Sequence, residues 1–115
     1  MTITRIDSNQ RMSQAVIHNG TIYLSGIVGV PGESVTAQTR TILETIDDLL
    51  LRSGSSKANL LSATIWLADM SDFSQMNVVW DAWVDKAAPP ARATGESRLA
   101  APDYKVEIIV TAAVA

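Results

Sequence analysis

The chain has 115 residues, 47% hydrophobic and 18% charged, with nine Lys and Arg, twelve Asp and Glu, and no cysteine. A net charge of −3 with scattered cations lacks the electrostatic footprint of a nucleic-acid binder, and the missing thiols exclude a disulfide framework or a cysteine nucleophile. The length suits a single domain over 1–115, and so few charges on so small a chain point to a buried interface between subunits, with an Ala/Val-rich core as the plainer reading.

The segment Met1 to Asp7 carries no apolar signal, and no stretch approaches a membrane span, so a cytoplasmic location is expected. Strand-like runs at 13–18 and 21–27 flank Asn19-Gly20, a two-residue hairpin turn whose residues both need positive φ. That turn sets His18 opposite Thr21, Val16 opposite Tyr23, Gln14 opposite Ser25 and Met12 opposite Ile27. Pro31-Gly32 breaks the chain and Ser34 can cap a helix. Val35, Thr39, Ile42, Leu43, Ile46, Leu49 and Leu50 then form a helical stripe that runs to Arg52, with Gly54 as its stop. A buried strand is expected over 61–67. A second helix follows, capped by Ser71 or Asp72, with a stripe of Phe73, Met76, Trp80, Trp83 and Val84 that Pro89-Pro90 ends. Two last strands, 92–99 and 104–113, are joined by a turn at Ala101-Pro102-Asp103. The order predicts an α+β sandwich, one mixed sheet with two helices on one face. The sheet's other face has no cover, and if apolar it must be covered by partner subunits.

Arg92 and Glu107 are the best candidates for chemistry. A lone arginine on a strand is usually solvated, but Arg92 follows the stiff Pro89-Pro90-Ala91 and precedes the small Ala93, Thr94 and Gly95. Its guanidinium offers a bidentate fork for a carboxylate. Glu107 is the one carboxylate in an apolar strand, either facing solvent or partly desolvated for proton transfer. A four-residue turn at 100–103 would put Arg92 and Glu107 on one face, several residues apart. The same turn sets Glu96 against Glu107, an unfavourable like-charge pair. Asn77 borders the apolar stripe between Phe73 and Trp80, where its amide needs a partner. Ser25 has no adjacent base, and His18 reads as an exposed turn residue at the far end of the hairpin, so a Ser–His pair is not expected. Trp66, Trp80 and Trp83 sit at core spacings rather than on a basic stripe.

These residues, in this order, resemble the YjgF/RidA family of reactive-intermediate deaminases. The resemblance runs from Ser13-Gln14-Ala15-Val16 and Asn19-Gly20 through Tyr23-Leu24-Ser25-Gly26, Ala63 to Asp69, Asp72-Phe73 and Met76-Asn77. It ends in Pro90-Ala91-Arg92 and Tyr104 to Ile108. It implies a chorismate-mutase-like subunit assembling as a homotrimer, with three clefts between subunits. Arg92 would grip the carboxylate of an enamine or imine acid and Glu107 would position or activate water. Ser25, Gly26, Asn77 and Thr94 would line the cleft. The implied reaction hydrolyses 2-iminopropionate, formed from 2-aminoacrylate, to a 2-oxo acid and ammonia, with no metal or cofactor. The archetypal deaminases have tyrosine where this chain has Met12 and cysteine where it has Thr94. Other readings are a trimer that binds a 2-oxo acid without turnover, or a ribonuclease, which the acidic balance weighs against.

Overall fold

A computed structural model describes residues 2–115; Met1, the first residue of the expected domain, lies outside it. Strands β1 (Thr4–Ile6), β2 (Ala15–His18), β3 (Thr21–Leu24) and β4 (Ile27–Val28) lead into helix α1 (Val35–Arg52). Strand β5 (Leu60–Leu67), helix α2 (Phe73–Trp83) and strands β6 (Ala91–Glu96) and β7 (Val106–Ala113) complete the order. The strands form one sheet in the order β1-β2-β3-β7-β5-β6, with β4 continuing the line of β3 along β7. Among the described residues, only the β5–β6 pair is parallel. The expected α+β class, with a mixed sheet and two helices on one face, is what the chain builds.

The hairpin turn behaves as its residues dictate. Asn19 and Gly20 have φ of 52° and 76°, and the pairs His18–Thr21 and Val16–Tyr23 hold. The pairing reaches Gln14, whose carbonyl accepts the Ser25 N–H at 2.9 Å. It does not reach Met12, whose N–H and C=O are both taken by Asn9, while Ile27 pairs with Ile108. Strand β1, unmarked by any strong alternation, was missed in the sequence; its Arg5 pairs with Val16.

Helix α1 starts and stops where expected. The Ser34 hydroxyl accepts the Ala37 N–H at 3.1 Å. At the other end Gly54, with φ of 82°, lets the Ser55 N–H return to Leu50 O and the Gly54 N–H to Leu51 O. Thr39 is tolerated in the buried stripe because its hydroxyl donates to Val35 O at 2.7 Å. Gln38, absent from the expected stripe, is fully buried. Its amide donates to Glu33 O and Asp103 O and accepts the Lys105 N–H at 2.9 Å. Helix α2 is entered through a 3-10 turn over Met70–Asp72, and neither expected cap is used: the Asp69 side chain accepts the Ser71 N–H at 2.9 Å. That backbone bond, then one from the Ser71 hydroxyl, holds the Asp69 carboxyl below its usual range. The Glu96 carboxylate accepts the Met70 N–H at 3.0 Å and ties the turn to the end of β6.

Core residues alternate along the central strands: Ala63, Ile65 and Leu67 on β5, and Val106, Ile108, Val110 and Ala112 on β7, all facing the helices. They pack with Ile42, Leu43, Ile46 and Leu50 of α1 and Met76 and Trp80 of α2. Burying each leucine or isoleucine contributes roughly 1.5–3 kcal/mol. The opposite face carries Val16, Tyr23, Thr64, Trp66, Ile109 and Thr111. It has no cover from this chain, and Tyr23 is 50% exposed there. Among the described residues, no helix is long and apolar enough to cross a membrane.

The expected adjacency of the last two strands is not found. Strand β5 lies between β6 and β7, and β6 runs parallel to β5 at the sheet edge. The physical reason is α2: strands flanking a helix of this length form a crossover, and crossovers make parallel pairs. Glu96 therefore lies beside Leu67 and away from Glu107, which removes the like-charge clash.

Candidate functional site: two polar clusters on opposite faces

Arg92 pairs with Ala63, whose side chain faces the helices, and Glu107 pairs with Trp66. Trp66 is three positions along β5 from Ala63, an odd step, so Arg92 and Glu107 point to opposite faces of the sheet. The expectation of a shared face is thus overturned by the intervening strand. Two strand spacings and three residues set the two backbones about 14 Å apart.

The first cluster forms on the helix side of β6. Arg92 Nη1 donates to Asn77 Oδ1 at 2.8 Å. Its guanidinium lies 5.4 Å from the Trp80 ring centroid and 5.9 Å from that of Phe73, a pair of cation–π contacts that leave its N–H groups free. One donor is spent on Asn77, and the exposed fork keeps others for an incoming oxyanion. Asn77 thereby gains the partner its position demanded. Thr94 lies two residues along β6 on the same face, beside Ile65. Its hydroxyl oxygen is buried and has no hydrogen-bond partner among the described residues.

The second cluster forms where β3 passes into β4. Four steps from Tyr23 to Ile27 span three on β7, from Thr111 to Ile108, so Ser25-Gly26 carries one extra residue, a bulge. The Ser25 hydroxyl donates to Gln14 Oε1 at 2.7 Å. Gly26 sits directly against Glu107: a Cβ there would lie 2.6 Å from Glu107 Oε2 and 2.8 Å from its Cδ. Only glycine leaves that carboxylate its place. His18 stays at the turn, away from Ser25, and Met12 is an exposed side chain in the loop before β2. No group of three metal-ligating side chains exists among the described residues.

The structure therefore gathers Arg92, Asn77 and Thr94 in one place and Ser25, Gly26 and Glu107 in another. The sequence missed Phe73 and Trp80 as the platform under Arg92, because their helical spacing reads equally well as core. Gln14 was placed across from Ser25 in the hairpin, but that pairing was not weighed as part of a site.

A mixed sheet layered on two helices, with one polar cluster at its edge and another on its bare face, defines a small α+β subunit of the YjgF type. A crystal structure of NMB1025 from Neisseria meningitidis, a member of the YjgF protein family, superposes with a TM-score of 0.97 at 47% identity, covering 100% of this chain and 97% of that one. The RutC family protein YoaB of Escherichia coli K12 is 46% identical over 99% of this chain and 100% of its own length. Reactive Intermediate Deaminase A of Arabidopsis thaliana chloroplasts is 33% identical over 84% of this chain and 54% of its own. The family model described as Endoribonuclease L-PSP matches residues 2–114. The chain belongs to this YjgF/RutC/Rid family.

Proposed function

We propose that the protein hydrolyses short imine acids such as 2-iminopropionate to 2-oxo acids and ammonia, in clefts between the subunits of a homotrimer. The observation that carries this reading is the Arg92 guanidinium, stacked on Trp80 and Phe73, oriented by Asn77 and left with free donors at an exposed edge. Such a fork matches a carboxylate. The relative named as a deaminase supports the same chemistry.

The reaction asks little of the protein. Water adds to the electrophilic C=N carbon, the nitrogen gains a proton, and the C–N bond breaks as ammonia leaves and C=O forms. Arg92 fixes the acid, Glu107 orients the water and accepts its proton, and Thr94 lies beside the bound molecule on the Arg92 face of β6. Ser25 and Gly26 shape the pocket around Glu107. An imine acid is far shorter than the separation of Arg92 and Glu107 within one chain, so a complete site needs Arg92 of one subunit and Glu107 of another. The bare apolar face of the sheet supports the assembly, because a surface of that kind is stable when covered. The single domain of 1–115 would then be one third of the working unit, acting without metal or cofactor in the cytoplasm.

The test couples the protein to a serine or threonine dehydratase and follows release of the 2-oxo acid, with solution mass measured on the same sample. Acceleration by a trimer supports the reading; tight 2-oxo acid binding without acceleration replaces it with a binding function. Gly26→Ala gives a sharper result. The added methyl must displace the Glu107 carboxylate, and misplacing a reacting group by an ångström costs on the order of 100-fold in kcat/KM. Because Gly26 is exposed, the thermal midpoint should hardly move; unchanged turnover would remove Glu107 from the mechanism.

A further inference from the structure

Away from both clusters, a cleft of about 260 Å³ opens between α1, α2 and the 3-10 turn at Lys57–Asn59. Leu43 and Val79 make its apolar floor, and Arg40, Glu44, Lys57 and Trp83 line it. Trp83 is a fixed wall: its Nε1–H donates to Asp47 Oδ2 at 3.0 Å, and its ring packs against Trp80 at 5.4 Å and 53°. Lys57 Nζ lies 5.4 Å from the centre of the same ring. Arg40 and Glu44 are four residues apart on one helix face, an arrangement that often closes an ion pair. Here neither they nor Lys57 enter an ion pair among the described residues. Two cations, one carboxylate and an aromatic wall thus line an apolar floor, and none of the three charges is paired with another among the described residues.

We propose that this cleft is a second binding site, taking a small zwitterion of the α-amino-acid type. Lys57 and Arg40 hold the carboxylate, Glu44 holds the ammonium, and the side chain lies on Leu43 and Val79 against Trp83. A simple anion would leave Glu44 repelling it, and a simple amine would face two cations; only a molecule with both charges satisfies the set. The site also touches the first cluster. Trp83 packs against Trp80, and the Arg92 guanidinium lies 5.4 Å from the Trp80 ring centroid, so Arg92 is the nearest residue of the first cluster that can report on the cleft.

The experiment titrates the full chain with L-leucine and follows the indole N–H resonance of Trp83 and the Nε–H of Arg92. Isocaproate and isoamylamine, which each keep one of leucine's charges, serve as controls. Saturable shifts of Trp83 are expected, with each control binding about tenfold more weakly or worse for the loss of a charge-assisted contact. Glu44→Gln, at an exposed position, and Lys57→Met, at a half-buried one, should weaken leucine by a similar factor. Arg92→Ala should leave the Trp83 response intact, which separates this site from the carboxylate grip whether or not the protein turns over imines. No Trp83 shift, or isocaproate binding as tightly as leucine, overturns the proposal. A saturable Trp83 shift supports the site whether or not the Arg92 resonance moves with it.

Discussion

Arg92→Ala is expected to cut kcat/KM for imine hydrolysis by about 100-fold or more, the scale of removing one partner from a desolvated charge pair. The loss should appear largely in KM if the grip is equal in the ground and transition states, and in kcat if it tightens as water adds. Arg92→Lys keeps the charge but gives up the planar fork and its fit between Asn77 and the two rings, so it should recover only part of the loss. Asn77→Ala frees the guanidinium from its one hydrogen bond and should cost about tenfold, since it disturbs orientation while leaving the charge. Steady-state rates in the coupled dehydratase assay decide among these. Full acceleration by Arg92→Ala would end the carboxylate-grip mechanism.

The largest effect on stability is expected from Gln38→Leu. The side chain is wholly buried, and its amide links α1 to the 103–105 segment that leads into β7. Leucine fills much of the volume but leaves the Lys105 N–H without its acceptor and the Glu33 carbonyl without its donor. Asp103 O keeps the Gly32 N–H at 3.1 Å and is spared. Glu33 is exposed, so water can take over its carbonyl, while the part-buried Lys105 N–H is stranded; the loss should be about 1–3 kcal/mol and lower the thermal midpoint by about 5 °C or more. Gln38→Glu should be worse at neutral pH, because a carboxylate would face the two carbonyls that now receive N–H donors. Burial raises the folded-state pKa of that carboxyl, so stability should return as pH falls and the group becomes able to donate. Thermal melts across pH read this directly; a Gln38→Leu chain as stable as the parent would show that the link is dispensable.

Local signals carried well from sequence to structure. Asn19-Gly20 demanded positive φ, Ser34 had a helix to cap, Gly54 had a carbonyl cluster to close, and the α1 stripe marked most of its buried face. Each of these depends on a few neighbouring residues. What failed was non-local: Glu96, read as opposing Glu107, lies two strands from it. The helix between β5 and β6 was the clue to the parallel crossover, and the like-charge pair was the warning. Gln38 escaped because nothing in a polar side chain one turn into a helix announces a loop sixty residues away. The candidate site shared this pattern. Asn77 was flagged from its position and found with Arg92, and the neighbourhood of Gly26 and Glu107 followed from the family resemblance. The platform of Phe73 and Trp80 was hidden because a stacked ring and a core ring have the same helical period.

The placement of Arg92 and Glu107 on opposite faces has a genetic corollary. If each cleft draws its cation from one chain and its carboxylate from the next, two dead alleles can rescue each other. Chains carrying Arg92→Ala and chains carrying Glu107→Gln, denatured together in equal amounts and refolded, should regain activity in roughly a quarter of their clefts, the share that random assembly into a ring allows. Neither population recovers when refolded alone. A defect inherited in one copy would then weaken the assembly by mixture, and two different defects in one cell would partly cancel.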